Sequence, residues 1–273
     1  MFGVPLTQSV PVRATLPLGL NGLRSIVRLV AIFLVVSFTT VGLAVVSLLR
    51  RRPIDQRLAR ARWVHRMSPW FIRSLGVRLS SRNRLAQAPS GAGMTVANHI
   101  SYVDIFLLAA QRPAVFVTST DVEETPVIGF LCRLGGCVFV DRRSARALRR
   151  HLSELADLMR AGVHVIVFPE ATTSYGNGVL PFKAALFESV RLSGRPLWVA
   201  CVEYPAHEQQ VAGYVDEDDT VPKHLRRMVA APGLTPSITW IAHEPEPARL
   251  DARALAHWSR EAVVRAMAGA PLE

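Results

Sequence analysis

From Val77 onward the chain alternates short apolar runs with helical patterns, and this alternation limits its fold more tightly than any other feature. Met94–Ala97, Ala114–Thr118, Cys137–Val140, His164–Phe168, Leu197–Glu203 and Ser237–Ala242 have the length and composition of strands. Residues 102–111, 126–134, 144–161, 182–193, 222–230 and 251–268 carry helical spacing between or after them. The pattern predicts an α/β domain over 77–273, with a mixed sheet flanked by helices. No internal repeat is visible. Gly-rich loops of the dinucleotide or P-loop kind are absent, so no nucleotide cofactor is indicated.

Upstream of the domain the chemistry changes. Residues 1–28 are expected to form an N-terminal tail, because 1–22 mix Pro, Gly and polar residues without periodicity. Leu29–Leu49 then forms an uncharged run of twenty-one residues between Arg28 and Arg50-Arg51-Arg52. As a helix it would reach roughly 30 Å, the thickness of a hydrocarbon core. Residues 54–77 read as a basic amphipathic helix, with Pro69 a candidate break and Trp63, Trp70 and Phe71 suited to a headgroup layer. Residues 29–76 are thus expected to make a transmembrane helix followed by a membrane-surface helix, with an in-plane hairpin as the alternative. A surface helix packed on the globular domain is the competing reading of 54–77.

Charge divides the chain at the same place. Residues 1–84 carry fourteen arginines and one acid, Asp55, whereas 85–273 are slightly acidic; the net +11 belongs to the N-terminal third. A basic block flanking an apolar span suggests an anionic membrane surface rather than nucleic acid, for which no motif appears. More arginines follow the apolar run than precede it, which places the domain on the cytoplasmic face of the cell inner membrane. Cys132, Cys137 and Cys201 have no metal spacing, and their odd number argues against a disulfide framework. No metal site is expected.

Val96-Ala97-Asn98-His99-Ile100-Ser101-Tyr102-Val103-Asp104 puts a histidine and an aspartate five positions apart, after a strand and before a helix. In one regular helix the two side chains would diverge by about 140°. They can meet only if His99 lies in the loop and Asp104 in the first helical turn. Ser101 as N-cap would put Asp104 at the third helical position. Two readings stay open on local chemistry. Asp104 caps the helix, or it holds one imidazole nitrogen so that the other can take a proton from a hydroxyl.

Two later segments bear on the choice. Gly136-Cys137-Val138-Phe139-Val140-Asp141-Arg142 ends a strand on an acid and an arginine, and Phe168-Pro169-Glu170-Ala171-Thr172-Thr173 ends another on an acid and hydroxyls. Strand ends of this kind border the ligand crevice of an open α/β sheet. The ordered blocks Asn98-His99-x4-Asp104, Gly136-x-x-Phe139-Val140-Asp141-Arg142 and Phe168-Pro169-Glu170-x-Thr172 resemble the glycerophospholipid acyltransferase family, over roughly residues 77–205.

The resemblance implies an O-acyltransferase that needs no cofactor beyond acyl-CoA or acyl carrier protein as acyl donor. His99 would deprotonate the hydroxyl of a membrane lysolipid and Asp104 would support it. Arg142, Glu170, Thr172, Thr173 and Lys183 would hold the acceptor, 1-acyl-sn-glycerol-3-phosphate being expected first and a lyso-ornithine lipid as the alternative. Three departures stand out. The family's Glu-Gly-Thr-Arg is Glu170-Ala171-Thr172-Thr173, a basic residue often found after the strand near 114–118 is replaced by the Ser119-Thr120-Asp121 region, and Leu197–Tyr204 lacks the fourth block's proline. Lys183 or Arg143 is the candidate replacement for the missing arginine. A non-catalytic lipid-binding protein and a lipid hydrolase are the competing classes, but Ser101 lacks a Gly-x-Ser-x-Gly elbow.

Overall fold

The computed structural model describes residues 18–50, 52–83, 90–141, 143–173, 178–214 and 219–270. Two helices open it, α1 (Leu18–Leu49) and α2 (Pro53–Ser74). The sheet domain follows as β1 (Ser80–Asn83), β2 (Met94–Ala97), α3 (Val103–Ala109), β3 (Val115–Ser119), α4 (Thr120–Glu123), α5 (Ile128–Gly135), β4 (Val138–Val140), α6 (Ala145–Arg160) and β5 (Val165–Val167). It closes with α7 (Phe187–Ser193), β6 (Leu197–Glu203), α8 (Gln209–Ala212), α9 (Val221–Ala230), β7 (Ser237–Glu244) and α10 (Ala252–Met267).

The sheet runs β1-β7-β6-β2-β5-β3-β4. β6 pairs antiparallel with β7, and every other neighbouring pair is parallel, so the sheet is mixed as expected. Strand alternation sorts side chains onto two faces. Leu197, Val199 and Cys201 of β6 join α6, α7 and α10 in one core; Trp198, Ala200 and Val202 join α2, α3 and α9 in the other. β2 lies at the centre with β5 and β6 on its sides. Its carboxyl end therefore opens at the point where the chain's crossovers turn in opposite directions, the usual place for a ligand crevice.

Two elements depart from the expected pattern. α1 begins at Leu18, so residues 18–28 are helical rather than part of a tail. α2 passes through Pro69 without a break, because Phe71 packs tilted against Phe106 (ring centroids 3.9 Å apart) and Ile72 and Leu75 are buried in the domain. That packing outweighs the hydrogen bond the proline removes.

The two helices form an antiparallel hairpin. Gln56 Nε2 and Arg60 Nε donate to the backbone carbonyl and hydroxyl of Ser47, and Trp63 Nε1 donates to Thr39 O (3.1 Å). Gly42 makes room for the Trp63 indole: a Cβ there would lie 2.1 Å from a ring carbon. Both ends of the hairpin touch the domain. Arg28 Nη1 donates to Val229 O (3.1 Å) and Ala231 O (2.6 Å), filling orphan carbonyls at the end of α9. At the other end Ile54 and Leu58 pack on the α6–α10 core, and Arg57 pairs with Glu154 at 2.9 Å. The outward side of α1 remains apolar; Gly22–Leu49 has a mean hydropathy of 2.7 in its most apolar window, of which 6% is buried.

Candidate active site

β2 delivers His99 to the carboxyl edge of the sheet. Asn98 extends the pairing beyond the strand with its side chain, donating to Val202 O and accepting from Val202 N, both at 2.8 Å. This amide imitates a backbone ladder and fixes where His99 leaves the sheet. The chain then turns into α3, whose N-cap position is Tyr102 rather than Ser101. Ser101 still takes part, since its hydroxyl accepts from Val103 N at 3.3 Å.

Asp104 is fully buried and serves both roles left open by its spacing. Its Oδ2 accepts from the N–H groups of Ile100 (2.7 Å) and Ser101 (2.8 Å), which closes the turn, and contacts His99 Nδ1 at 3.1 Å. A carboxylate can only accept, so Nδ1 carries the proton in this pair. The remaining oxygen, Oδ1, accepts from Tyr204 Oη at 2.7 Å. Burial, followed by the neighbouring Asp104 charge, pushes the Tyr204 phenol well above its ordinary value, so Tyr204 remains a donor. Held by the Ile100, Ser101, His99 and Tyr204 groups, the carboxylate has one orientation available to it.

The imidazole is also held from its face. Phe168 stacks on it with centroids 4.0 Å apart and planes 16° from parallel, and Phe116 lies behind Phe168. Its backbone is fixed by Glu170, whose Oε1 accepts from His99 N at 2.7 Å while Oε2 accepts from Leu180 N at 2.8 Å. Glu170 is 3% exposed. Burial raises its carboxyl above the usual range, and the Leu180 and His99 N–H groups pull it part of the way back. Glu170 thus ties the His99 loop to the segment leading into Phe182 and Lys183, with both oxygens engaged by backbone.

The family's glycine position is occupied by Ala171, which adopts φ +66°. That left-handed backbone explains the preference for glycine there and carries a strain of about 1 kcal/mol in an L-residue. Thr172 is exposed and Thr173 half-buried at the rim beside it. Lys183 is exposed, its N–H donating to Pro169 O at 2.8 Å, so the β5 loop and the Lys183 segment run side by side. Arg142 lies outside the described residues; Arg143 forms an ion pair with Asp121.

The structure therefore brings together His99, Asp104 and Glu170, with Thr172, Thr173 and Lys183 along one flank. Tyr204 is the residue that sequence reasoning missed. It stands one hundred positions from Asp104, and only the adjacency of β6 to β2 joins them. Three other histidines have structural settings. His65 Nδ1 meets Ala109 O at 2.7 Å, His164 is buried against Thr95, and His224 Nε2 meets Val211 O at 3.0 Å.

Known proteins share much of this sequence and fold. The acyltransferase family profile matches residues 76–203. The chain is 32% identical over 184 residues to the 1-acyl-sn-glycerol-3-phosphate acyltransferase of Neisseria gonorrhoeae, covering 67% of this chain and 72% of that protein. It is 29% identical over 221 residues to the lyso-ornithine lipid O-acyltransferase of Pseudomonas aeruginosa, covering 80% and 81%. The crystal structure of the 1-acyl-sn-glycerophosphate acyltransferase of Thermotoga maritima superposes with a TM-score of 0.67 at 20% identity, over 91% of this chain and 95% of that one, which shows a shared fold. A buried acid orienting a histidine at the mouth of this sheet, with these relatives, places the chain in the acyltransferase family.

Proposed function

We propose that the protein moves a fatty acyl group from an acyl thioester, acyl-CoA or acyl carrier protein, to the hydroxyl of a lysolipid. The acceptor proposed first is 1-acyl-sn-glycerol-3-phosphate, which would give phosphatidic acid. The observation that carries this reading is the 3.1 Å contact between His99 Nδ1 and the buried Asp104 carboxylate. With Nδ1 turned to Asp104, Nε2 is the nitrogen that takes the acceptor's hydroxyl proton as the oxygen attacks the thioester carbonyl. The C–S bond then breaks and the departing thiolate receives the proton from the imidazolium. A thioester is already activated, so positioning and proton removal suffice without a covalent acyl-enzyme. Thr172, Thr173, Lys183 and Arg142 are assigned to the acceptor's headgroup, while Glu170 acts through the backbone of the His99 loop.

The hairpin supports work at a membrane. α1 offers an apolar outer side, and Arg62, Arg66, Trp70 and Arg73 form an exposed stripe on α2 suited to an anionic headgroup layer. Because both hairpin ends touch the domain, an in-plane position at the cytoplasmic face of the inner membrane is favoured over spanning.

One observation favours a second acceptor. Thr173 occupies the position of a family arginine, and the chain is 41% identical over 120 residues to the lyso-ornithine lipid O-acyltransferase of Rhodobacter capsulatus, 42% of that protein. An acceptor with a zwitterionic amino-acid headgroup would place a different demand on that position than a phosphate. Incubation of the purified protein with labelled acyl thioester and a panel of lysolipids tests both. Transfer dependent on lysophosphatidate supports the first reading, and transfer dependent on a lyso-ornithine lipid supports the second. Free fatty acid without an acylated acceptor contradicts both.

A further inference from the structure

The corner between α4 and α5 displays apolar side chains in a strained backbone. Val127 has φ +66° and ψ −55°, and Ile128 N donates to Pro126 O at 2.7 Å, which together define a γ-turn of the rare positive-φ kind. A β-branched residue is poorly suited to that conformation. The turn holds the Val127 side chain outward at 68% exposure, and Phe130, on the next turn of chain, is 53% exposed. Strain that presents valine to water gains nothing from the solvent, so the turn's rationale lies in what covers it.

The corner is built firmly. A Cβ on Gly129 would lie 2.1 Å from Glu123 O, Arg133 pairs with Glu123 at 3.3 Å, and Arg143 pairs with Asp121. The last contact ties the corner to the strand-end block that includes Asp141. On its other side α5 packs directly against α1 and α2. α5, which carries the exposed Phe130, thus adjoins α1, whose outer side exposes Phe33, Leu34 and Phe38 at 69%, 59% and 59%.

We infer that the Pro126–Phe130 corner inserts into the acyl-chain region of a lipid bilayer, as a second membrane contact supplied by the catalytic domain itself. Its attachment through α5 to α1, whose outer side is apolar and little buried, selects lipid as the occupant over a soluble protein. Placed between the hairpin and the carboxyl edge of the sheet, it sets the mouth of the site at the depth of the acceptor's glycerol and chain. This inference rests on the proposed acyl transfer to a lysolipid.

The test uses the full chain on vesicles of phosphatidylcholine and phosphatidylglycerol. A Val127→Asp/Phe130→Asp variant is expected to lose roughly tenfold or more in acyl transfer to long-chain lysophosphatidate held in the vesicles. On a short-chain lysophosphatidate dissolved as monomer it should keep the wild-type rate. A Phe130→Trp variant should show added emission quenching, relative to wild type, by lipids brominated along their acyl chains. Equal loss on both acceptors, or loss on neither, overturns the inference, as does the absence of added quenching. The quenching needs no turnover, so it decides the corner's location even if no acceptor is acylated, an outcome that would count against the function instead.

Discussion

Asp104 joins two readings that its spacing alone left as rivals. The same Oδ2 that closes the Ile100–Ser101 turn holds His99 Nδ1, so the helix start and the His99 imidazole are built around one carboxylate. Tyr204 completes it, and Tyr204→Phe removes a 2.7 Å bond and leaves a buried carboxylate oxygen without its donor. We expect the variant to lose about 1–3 kcal/mol of stability and to lower kcat with little effect on acceptor KM, read by thermal unfolding and steady-state kinetics. Glu170 gives a prediction with a pH sign. Its folded value is raised above the usual 4.5, so its stabilising contribution is full below that value and is lost as pH rises through the folded one. The stability deficit of Glu170→Gln relative to wild type is therefore expected to be largest near about pH 4 and to narrow toward neutrality, in thermal unfolding across that range. His99, Asp104 and Glu170 were legible because each sits in a short local motif. Tyr204 was not, because nothing in the order of residues shows that β6 lies beside β2.

At the scale of elements, apolar strands were the most readable parts of the chain. Met94–Ala97 and Leu197–Glu203 have the expected bounds because both are buried on two faces and consist of near-continuous apolar residues. β1 escaped notice for the opposite reason: Ser80–Asn83 is polar and lies at the sheet's edge, where backbone pairing with β7 makes it a strand. The hairpin's packing also lies beyond pattern reading. Gly42 looks like one more small residue in an apolar run, yet the Trp63 indole occupies its open side. Gly42→Val should force α1 from α2 and cost about 1–3 kcal/mol in thermal unfolding, whereas Gly22→Ala, with nothing within 4 Å of its added carbon, should cost nothing.

For the whole molecule, the division of charge between an arginine-rich N-terminal third and a slightly acidic remainder marks off, from composition alone, the part proposed to meet the membrane. Length and hydropathy could not decide how that part meets a bilayer, because they carry no record of contacts between α1 and the domain. Arg28 on α9 at one end and Ile54 and Leu58 on the core at the other supply that record. An in-plane hairpin predicts that reporters fused to the N-terminus and to the C-terminus report the same side of the membrane; opposite sides would mean that α1 spans and that its contacts with α9 are broken in the bilayer. α2 also buries Ile72 and Leu75 in the domain, so removal of residues 1–76 would strip part of the core together with the membrane contact.

His99, oriented by Asp104, is proposed to remove the acceptor's proton. The most direct measurement is acyl transfer from labelled acyl-CoA to lysophosphatidate by purified full-length His99→Ala, with folding and vesicle binding checked alongside. The expected result is a loss of roughly 10²–10⁴-fold in kcat with unfolding temperature and vesicle binding preserved. A folded His99→Ala protein with the wild-type rate would contradict it.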